Sequence, residues 1–200
     1  MTLKEFRDDL LKKGKQLEDL TRRRMPVFVG QMAKSHYQEN FRKSGFVNNG
    51  LNDWKPSKRL SNPGKSATSN YKTLTSGRNH LFSSIKYIPG DAQVTIRNDV
   101  EYAQIHNEGG TFNVAPTVTK KMKKFAWAQY YNALGLKKGE KAPKFIPEDA
   151  ERWRRLALTK KQKLNIKIDM PQRQFIGESK ELNDKIAAKW EQKIEEILNS

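Results

Sequence analysis

Apolar residues in this chain change period along its length, and that change constrains the fold more than any single motif. At the N-terminus Leu3, Phe6, Leu10, Leu17 and Leu20 recur at a and d spacing, the stripe of a packed helix. Gly14 and the Arg22–Arg24 run weaken it, and Pro26 ends or kinks the helix or starts a new one. Val29, Met32, Ala33, Tyr37 and Phe41 mark a second helical stripe, stopped near Gly45. At the other end Leu182, Ile186, Trp190, Ile194 and Ile197 share one helix face over 179–198, with Ser179 as N-cap. Between these ends the period falls to two. Ile85, Tyr87 and Pro89, the turn Pro89-Gly90-Asp91, then Val94 and Ile96 predict a β-hairpin within 81–98. Residues 99–106 read as a short turn or helix with Tyr102, Ala103 and Ile105 facing inward, and 111–115 as a further strand. Leu164, Ile166 and Ile168 alternate as a strand with one buried face, stopped by Pro171.

Strands grouped between terminal helices predict an α+β fold: N-terminal helices, a small antiparallel sheet, a helical insertion and a C-terminal helix. A chain of 200 residues fits a single domain, with the insertion at about 118–161. Within that insertion Met122, Phe125, Ala126, Tyr130 and Ala133 form one amphipathic stripe. Residues 150–158, with Trp153 and Leu156, form a second, and a Gly/Lys/Pro stretch over 135–147 separates them. Residues 46–71 have loop character, punctuated by Asn-Asn-Gly, Lys-Pro-Ser and Asn-Pro-Gly, with Trp54 the one bulky anchor.

The chemistry a sequence can declare is sparse here. There is no cysteine, so no disulfide, thiolate nucleophile or Cys-ligated metal. His36, His80 and His106 lack metal-ligand spacing, and neither a phosphate-binding loop nor a nucleophile elbow is present. His106 with Glu108 in one turn permits general acid–base work, but a structural hydrogen bond explains such a histidine as well. Asp8-Asp9 and Glu195-Glu196 are helix neighbours that face different ways. No enzyme activity, cofactor or metal is therefore expected. No apolar run approaches a membrane span, and the charged N-terminus lacks a signal peptide's apolar core, so a cytosolic protein without a membrane partner is expected.

Charge is the strong compositional signal. The formal net charge is +17 and the pI about 10.0, which suits a nucleic-acid neighbour, an acidic protein or an anionic surface. Over 118–165 there are 14 Lys and Arg against 4 Asp and Glu, an excess that places the basic surface there. Lys120, Lys121, Lys123 and Lys124 beside Trp127, Tyr130 and Tyr131 are candidate nucleic-acid contacts, cations for phosphates next to rings for bases. The alternative is that the rings are core and the lysines keep a helix solvated.

Four short stretches, taken in order, resemble the phage virion morphogenesis family, which includes tail-completion proteins of Mu-like and P2-like phages. Asn52-Asp53-Trp54-Lys55-Pro56 is similar to a Trp-x-Pro segment after the N-terminal helix. Thr75-Ser76-Gly77, Leu81 and Ser83-Ser84-Ile85 resemble the approach to the hairpin, with Leu81 two residues late. Val94-Thr95-Ile96 followed by Tyr102-Ala103-Gln104-Ile105-His106-Asn107-Glu108-Gly109-Gly110 is the most specific match. Met170-Pro171-Gln172-Arg173-Gln174-Phe175-Ile176-Gly177-Glu178-Ser179 resembles the segment before the last helix, with Gln174 where the family often has proline.

The resemblance implies a structural subunit acting in tail completion or head–tail joining, self-associated into a ring. Its implied partners are other head–tail connector or tail proteins; non-specific contact with phage DNA is an expectation of the basic surface, which the resemblance does not cover. It would occupy the host cytoplasm during assembly and then the virion, at the head–tail junction or tail end. The alternative is a non-specific DNA- or RNA-binding protein using the basic 118–165 surface; a hydrolase lacks any nucleophile and base. Physical roles follow for the matched residues besides Trp54 and Gly77. Gly109 and Gly110 supply backbone angles that a β-carbon forbids. The Tyr102 ring packs inside with its hydroxyl on a polar partner, and His106 ties its turn to a nearby loop. Pro171 ends the strand and Phe175 anchors the loop. Arg173 pairs with a carboxylate or carbonyl at a subunit boundary, although fold maintenance is the competing role for every one of these residues.

Overall fold

A computed structural model describes residues 2–61, 70–137, 140–141 and 143–200. The Asn62-Pro63-Gly64 punctuation, and Lys138, Gly139 and Ala142 of the 135–147 stretch, lie outside the described residues. The fold is mixed helix and sheet, with three two-stranded antiparallel sheets and long helices at both ends. Contacts divide it into two compact units, residues 1–110 with 170–200, and residues 111–169.

In the first unit α1 (Leu3–Asp19) begins with a capping box: the Thr2 hydroxyl accepts the Glu5 N–H while Glu5 accepts the Thr2 N–H. It runs through one π turn (Leu20–Arg24) into α2 (Met25–Lys43) without a break. Pro26 causes the irregularity, since it has no N–H for the Arg22 carbonyl four residues back. That carbonyl instead accepts the Ala92 N–H at 3.0 Å, and the Arg22 guanidinium grips the Asp91 carboxylate. The residue expected to interrupt a helix thus creates the dock for a hairpin tip.

That hairpin is β3 (Ile85–Pro89) with β4 (Val94–Asn98), Ile85 facing Asn98 and Pro89 facing Val94. Leu81, expected near its start, sits instead in the helical turn α4 (His80–Ser83). Gly30 lets α2 lie against β3, because a β-carbon there would overlap the Tyr87 ring. The region 46–71 contains more order than its punctuation implies. It follows a left-handed Ser44 and opens with a hairpin, β1 (Gly45–Val47) and β2 (Leu51–Asp53), whose turn has positive φ at Asn49 and Gly50. Three residues, 48–50, make this turn, and the two left-handed positions suit asparagine and glycine. The short helix α3 (Lys58–Ser61) follows. α5 (Ala103–Glu108) ends at Gly109, and α8 (Lys180–Leu198) is capped by Ser179, whose hydroxyl accepts the Leu182 N–H.

The main core gathers Ala33, Tyr37, Phe41, Phe46, Trp54, Leu81, Ile85, Ala103, Phe175 and Leu182. Phe41 is its hub, edge-on to Trp54 and Phe82 and tilted against Phe175 at 5.1 Å. A second cluster of Leu20, Met25 and Ile197 lies where the π turn meets the end of α8. The packed-helix expectation fails for the start of the N-terminal stripe. Leu3, Phe6 and Leu10 are 90 %, 51 % and 61 % exposed, and packing begins only at Leu17.

The second unit pairs β5 (Gly110–Val114) with β6 (Ile166–Met170) and packs α6 (Lys120–Leu134) on α7 (Glu148–Leu158). The 118–161 stretch lies inside it. Thr119 caps α6 through the Met122 N–H, and Gly135 closes it in the left-handed region. Ala126, Tyr130, Ala150 and Ala157 are its buried residues. Phe125, expected inside, is more than half exposed, although its ring meets Trp153 edge-on. Ile166 is also exposed, so β6 does not bury the whole of its apolar face.

Phe41→Ala removes the ring against which three other aromatics pack, and is expected to cost about 3–5 kcal/mol. Urea denaturation would show this as a lower midpoint with an unchanged slope.

Candidate functional site

The stretches singled out in the sequence come together around residues 171–179. This segment follows β6, which Pro171 terminates, and most of it has no regular structure of its own before α8. Its backbone must therefore be satisfied by other parts of the chain. The Arg173 N–H donates to the His106 carbonyl at 2.8 Å. Asn107 Oδ1 accepts the N–H groups of both Phe175 and Ile176 at 2.9 Å. The Gln174 carbonyl accepts from Trp54 Nε1 at 2.7 Å, the Phe175 carbonyl from Asn40 Nδ2, and the Gly177 carbonyl from the Tyr37 hydroxyl.

Arg173 is 7 % exposed, and the carbonyls its guanidinium meets belong to its own chain. Nε donates to the Lys55 carbonyl at 2.8 Å, Nη2 to the Pro56 carbonyl at 3.5 Å, and Nη1 meets Met170 Sδ. With carbonyls rather than a carboxylate around it, burial lowers its pKa. Gly109 adopts φ +71°, and a β-carbon there would lie 2.6 Å from the Gln172 nitrogen. Gly110, at φ +117°, has open space around it, so only its backbone angle favours glycine. Phe175 is buried, as expected of an anchor, and Trp54 is buried beside it. Gly77 lies in the 75–79 turn, facing the Tyr71 hydroxyl without a positive φ.

Tyr102 departs from expectation. It is 44 % exposed, with its hydroxyl 3.4 Å from His80 Nδ1 and its ring edge-on to His106. His106 ties its turn to the 171–179 segment through its backbone carbonyl, whereas its Nδ1 is buried with no hydrogen-bond partner among the described residues. Burial and then the Arg173 charge hold the His106 pKa below the ordinary 6.5. His36 is lowered too, by burial first and Lys185 second. Ser57, Arg59, His80, Tyr102, His106 and Arg173 line a pocket of about 250 Å³. His106 and Glu108 do not converge: the Glu108 carboxylate accepts from Gln104. Sequence reading missed the polar roles of Asn40, Tyr37 and Asn107, whose partners in the 171–179 segment lie more than 60 residues away along the chain.

The second unit carries a different surface. Lys120, Lys123 and Lys124 line a cleft of about 910 Å³ along α6 with Trp127, Tyr131 and Lys137, while Lys121 is not among its lining residues. Trp127 and Tyr131 lie one turn apart with centroids 6.1 Å apart and planes tilted by 31°. Tyr130, expected beside them, is buried beneath. Among the described residues, no group of three or more His, Asp or Glu side chains is placed to hold a metal ion, and no helix is long and apolar enough to cross a membrane. No family model matches the chain, and no curated protein or solved structure does either.

Arg173→Lys replaces a planar fork by one ammonium and leaves carbonyls without their donor, for an expected loss of about 1.5–3 kcal/mol in urea unfolding. His36 and His106 also make stability depend on pH. Their folded pKa values lie below the unfolded value of about 6.5, so the unfolded chain binds more protons as pH falls through that value. The thermal midpoint should therefore drop from pH 6.5 towards 5, and His106→Gln should flatten part of that drop.

Proposed function

We propose that this chain is a structural, non-catalytic subunit of virion assembly, of the tail-completion or head–tail-joining type, working as an oligomeric ring. One observation carries the reading. Three of the four segments that resemble the virion morphogenesis family, though spread over residues 52–179, meet in one knot, and Leu81 and Ile85 of the remaining stretch share the main core with Phe175. The 171–179 segment joins Trp54 and the Lys55 and Pro56 carbonyls on one side to the 102–110 turn on the other by direct hydrogen bonds. Residues that agree with a family in order and also depend on each other in space form one unit of fold. This supports kinship more strongly than four separate short matches.

A subunit of this kind works by presenting surfaces, and the chain has an unused one. Leu3, Phe6 and Leu10 expose an apolar stripe on α1 that a neighbouring copy would cover. The protein would be made in the host cytoplasm and end in the particle, against connector or tail proteins.

Native mass spectrometry of the full chain should give one discrete ring-sized oligomer, with Phe6→Glu/Leu10→Glu shifting it to monomer at unchanged helicity. A monomer at every concentration would count against the ring. Deleting the gene from its phage should leave heads packed with DNA but no completed tailed particles. Defective capsids beside intact free tails would point to head completion instead.

A further inference from the structure

The cleft along α6 belongs to the second unit and plays no part in the knot at residues 171–179. Its electrostatics are unbalanced. Lys120, Lys123 and Lys124 stand in the first two turns of α6, where the helix dipole already presents positive charge. Lys137 stands just beyond the other end of the helix. Among the described residues, no carboxylate lies within salt-bridge distance of any of these four lysines. Carboxylates do neutralise arginines on α7 of the same unit, where Glu148 pairs with Arg152 and Glu151 with Arg154. The cleft is thus a place where cations are left for a partner.

The partner must be anionic, and the rings say more about its shape. Trp127 and Tyr131 line the cleft together with the lysines, one helical turn apart and inclined by only 31°. Flat apolar faces beside lysine ammoniums suit a ligand that alternates aromatic planes with phosphates. Bases within a duplex are stacked on each other and cannot offer those planes, whereas a single strand can. An acidic peptide would use the lysines but leave the rings idle.

We propose that this cleft is a binding site for single-stranded nucleic acid, with bases stacked on Trp127 and Tyr131 and phosphates held by Lys120, Lys123, Lys124 and Lys137. Recognition is by stacking and charge, without base-edge readout, so it is tolerant of sequence. The site stands independently of the assembly reading, since none of its residues belongs to the segments that carry that reading.

The test is a titration of the full-length protein with oligothymidylate about 12 nucleotides long, a duplex of equal length, and polyglutamate, following tryptophan fluorescence and anisotropy. The single strand should bind tightest and quench fluorescence, and Trp127→Phe should remove that quench while retaining most of the affinity. Trp127→Ala should weaken binding about tenfold or more. Because that change also uncovers Tyr130, the Lys123→Gln/Lys124→Gln variant serves as a second probe at unchanged circular dichroism. It should reduce the slope of log affinity against log salt by about 0.7 per lysine. Equal or tighter binding of the duplex or of polyglutamate would overturn the proposal. So would a quench that survives Trp127→Phe, a salt slope unmoved by the lysine changes, or no binding at low salt. Oligomeric state read on the same samples separates failure of this site from failure of the ring.

Discussion

The first unit depends on one requirement: the polar backbone of an irregular segment, residues 171–179, has to be satisfied where water is largely excluded. A helix or strand would meet that need internally or along a ladder; this segment does neither, so the partners come from far along the chain. Asn40 and Tyr37 on α2, Trp54 after β2, and Asn107 at the end of α5 each aim a polar atom at it. Leaving any one buried group unpaired costs about 1–3 kcal/mol, so the arrangement tolerates few errors in register. The aromatic core around Phe41 then packs against a segment whose path the hydrogen bonds have already set.

Arg173 shows the same logic in reverse. A guanidinium is usually assigned to a carboxylate or to a surface, and nothing in its neighbours along the chain says otherwise. Here it spends its donors on two main-chain carbonyls of the stretch after β2, stitching that turn to the segment before α8. Its burial follows from geometry between distant residues, which one-dimensional reading cannot supply.

What was legible in the sequence follows the length of the signal. The C-terminal helix, with a full stripe and a serine cap, and the β3–β4 hairpin, with five paired residues per strand, both declare themselves by period. Strands β1 and β2 have three residues each, too few to show alternation, so only the Asn49-Gly50 turn marked them, and it reads equally well as a loop. Tyr102 and Phe125 were expected inside because periodicity identifies a face and not what covers it. Both lie at the edge of that coverage, Tyr102 against the rings of His80 and His106 and Phe125 against Trp153, each with a wide opening to solvent. Local charge pointed to residues 118–165, yet it could not distinguish Lys121 from the three lysines that share the cleft with Trp127.

The π turn at Leu20–Arg24 has a consequence for the phase of the long N-terminal rod. One residue beyond regular helical count turns every later side chain by about 100° relative to those before it. The stripe of α1 and the stripe of α2 are therefore not one continuous seam. Leu17 and Leu20 before or within the offset and Met25 and Val29 after it all reach the cluster with Ile197, and farther along α2 Ala33, Tyr37 and Phe41 enter the main core. A proline at position 26 thereby works as an angular offset, setting which faces of α1 and α2 meet at the one cluster they share.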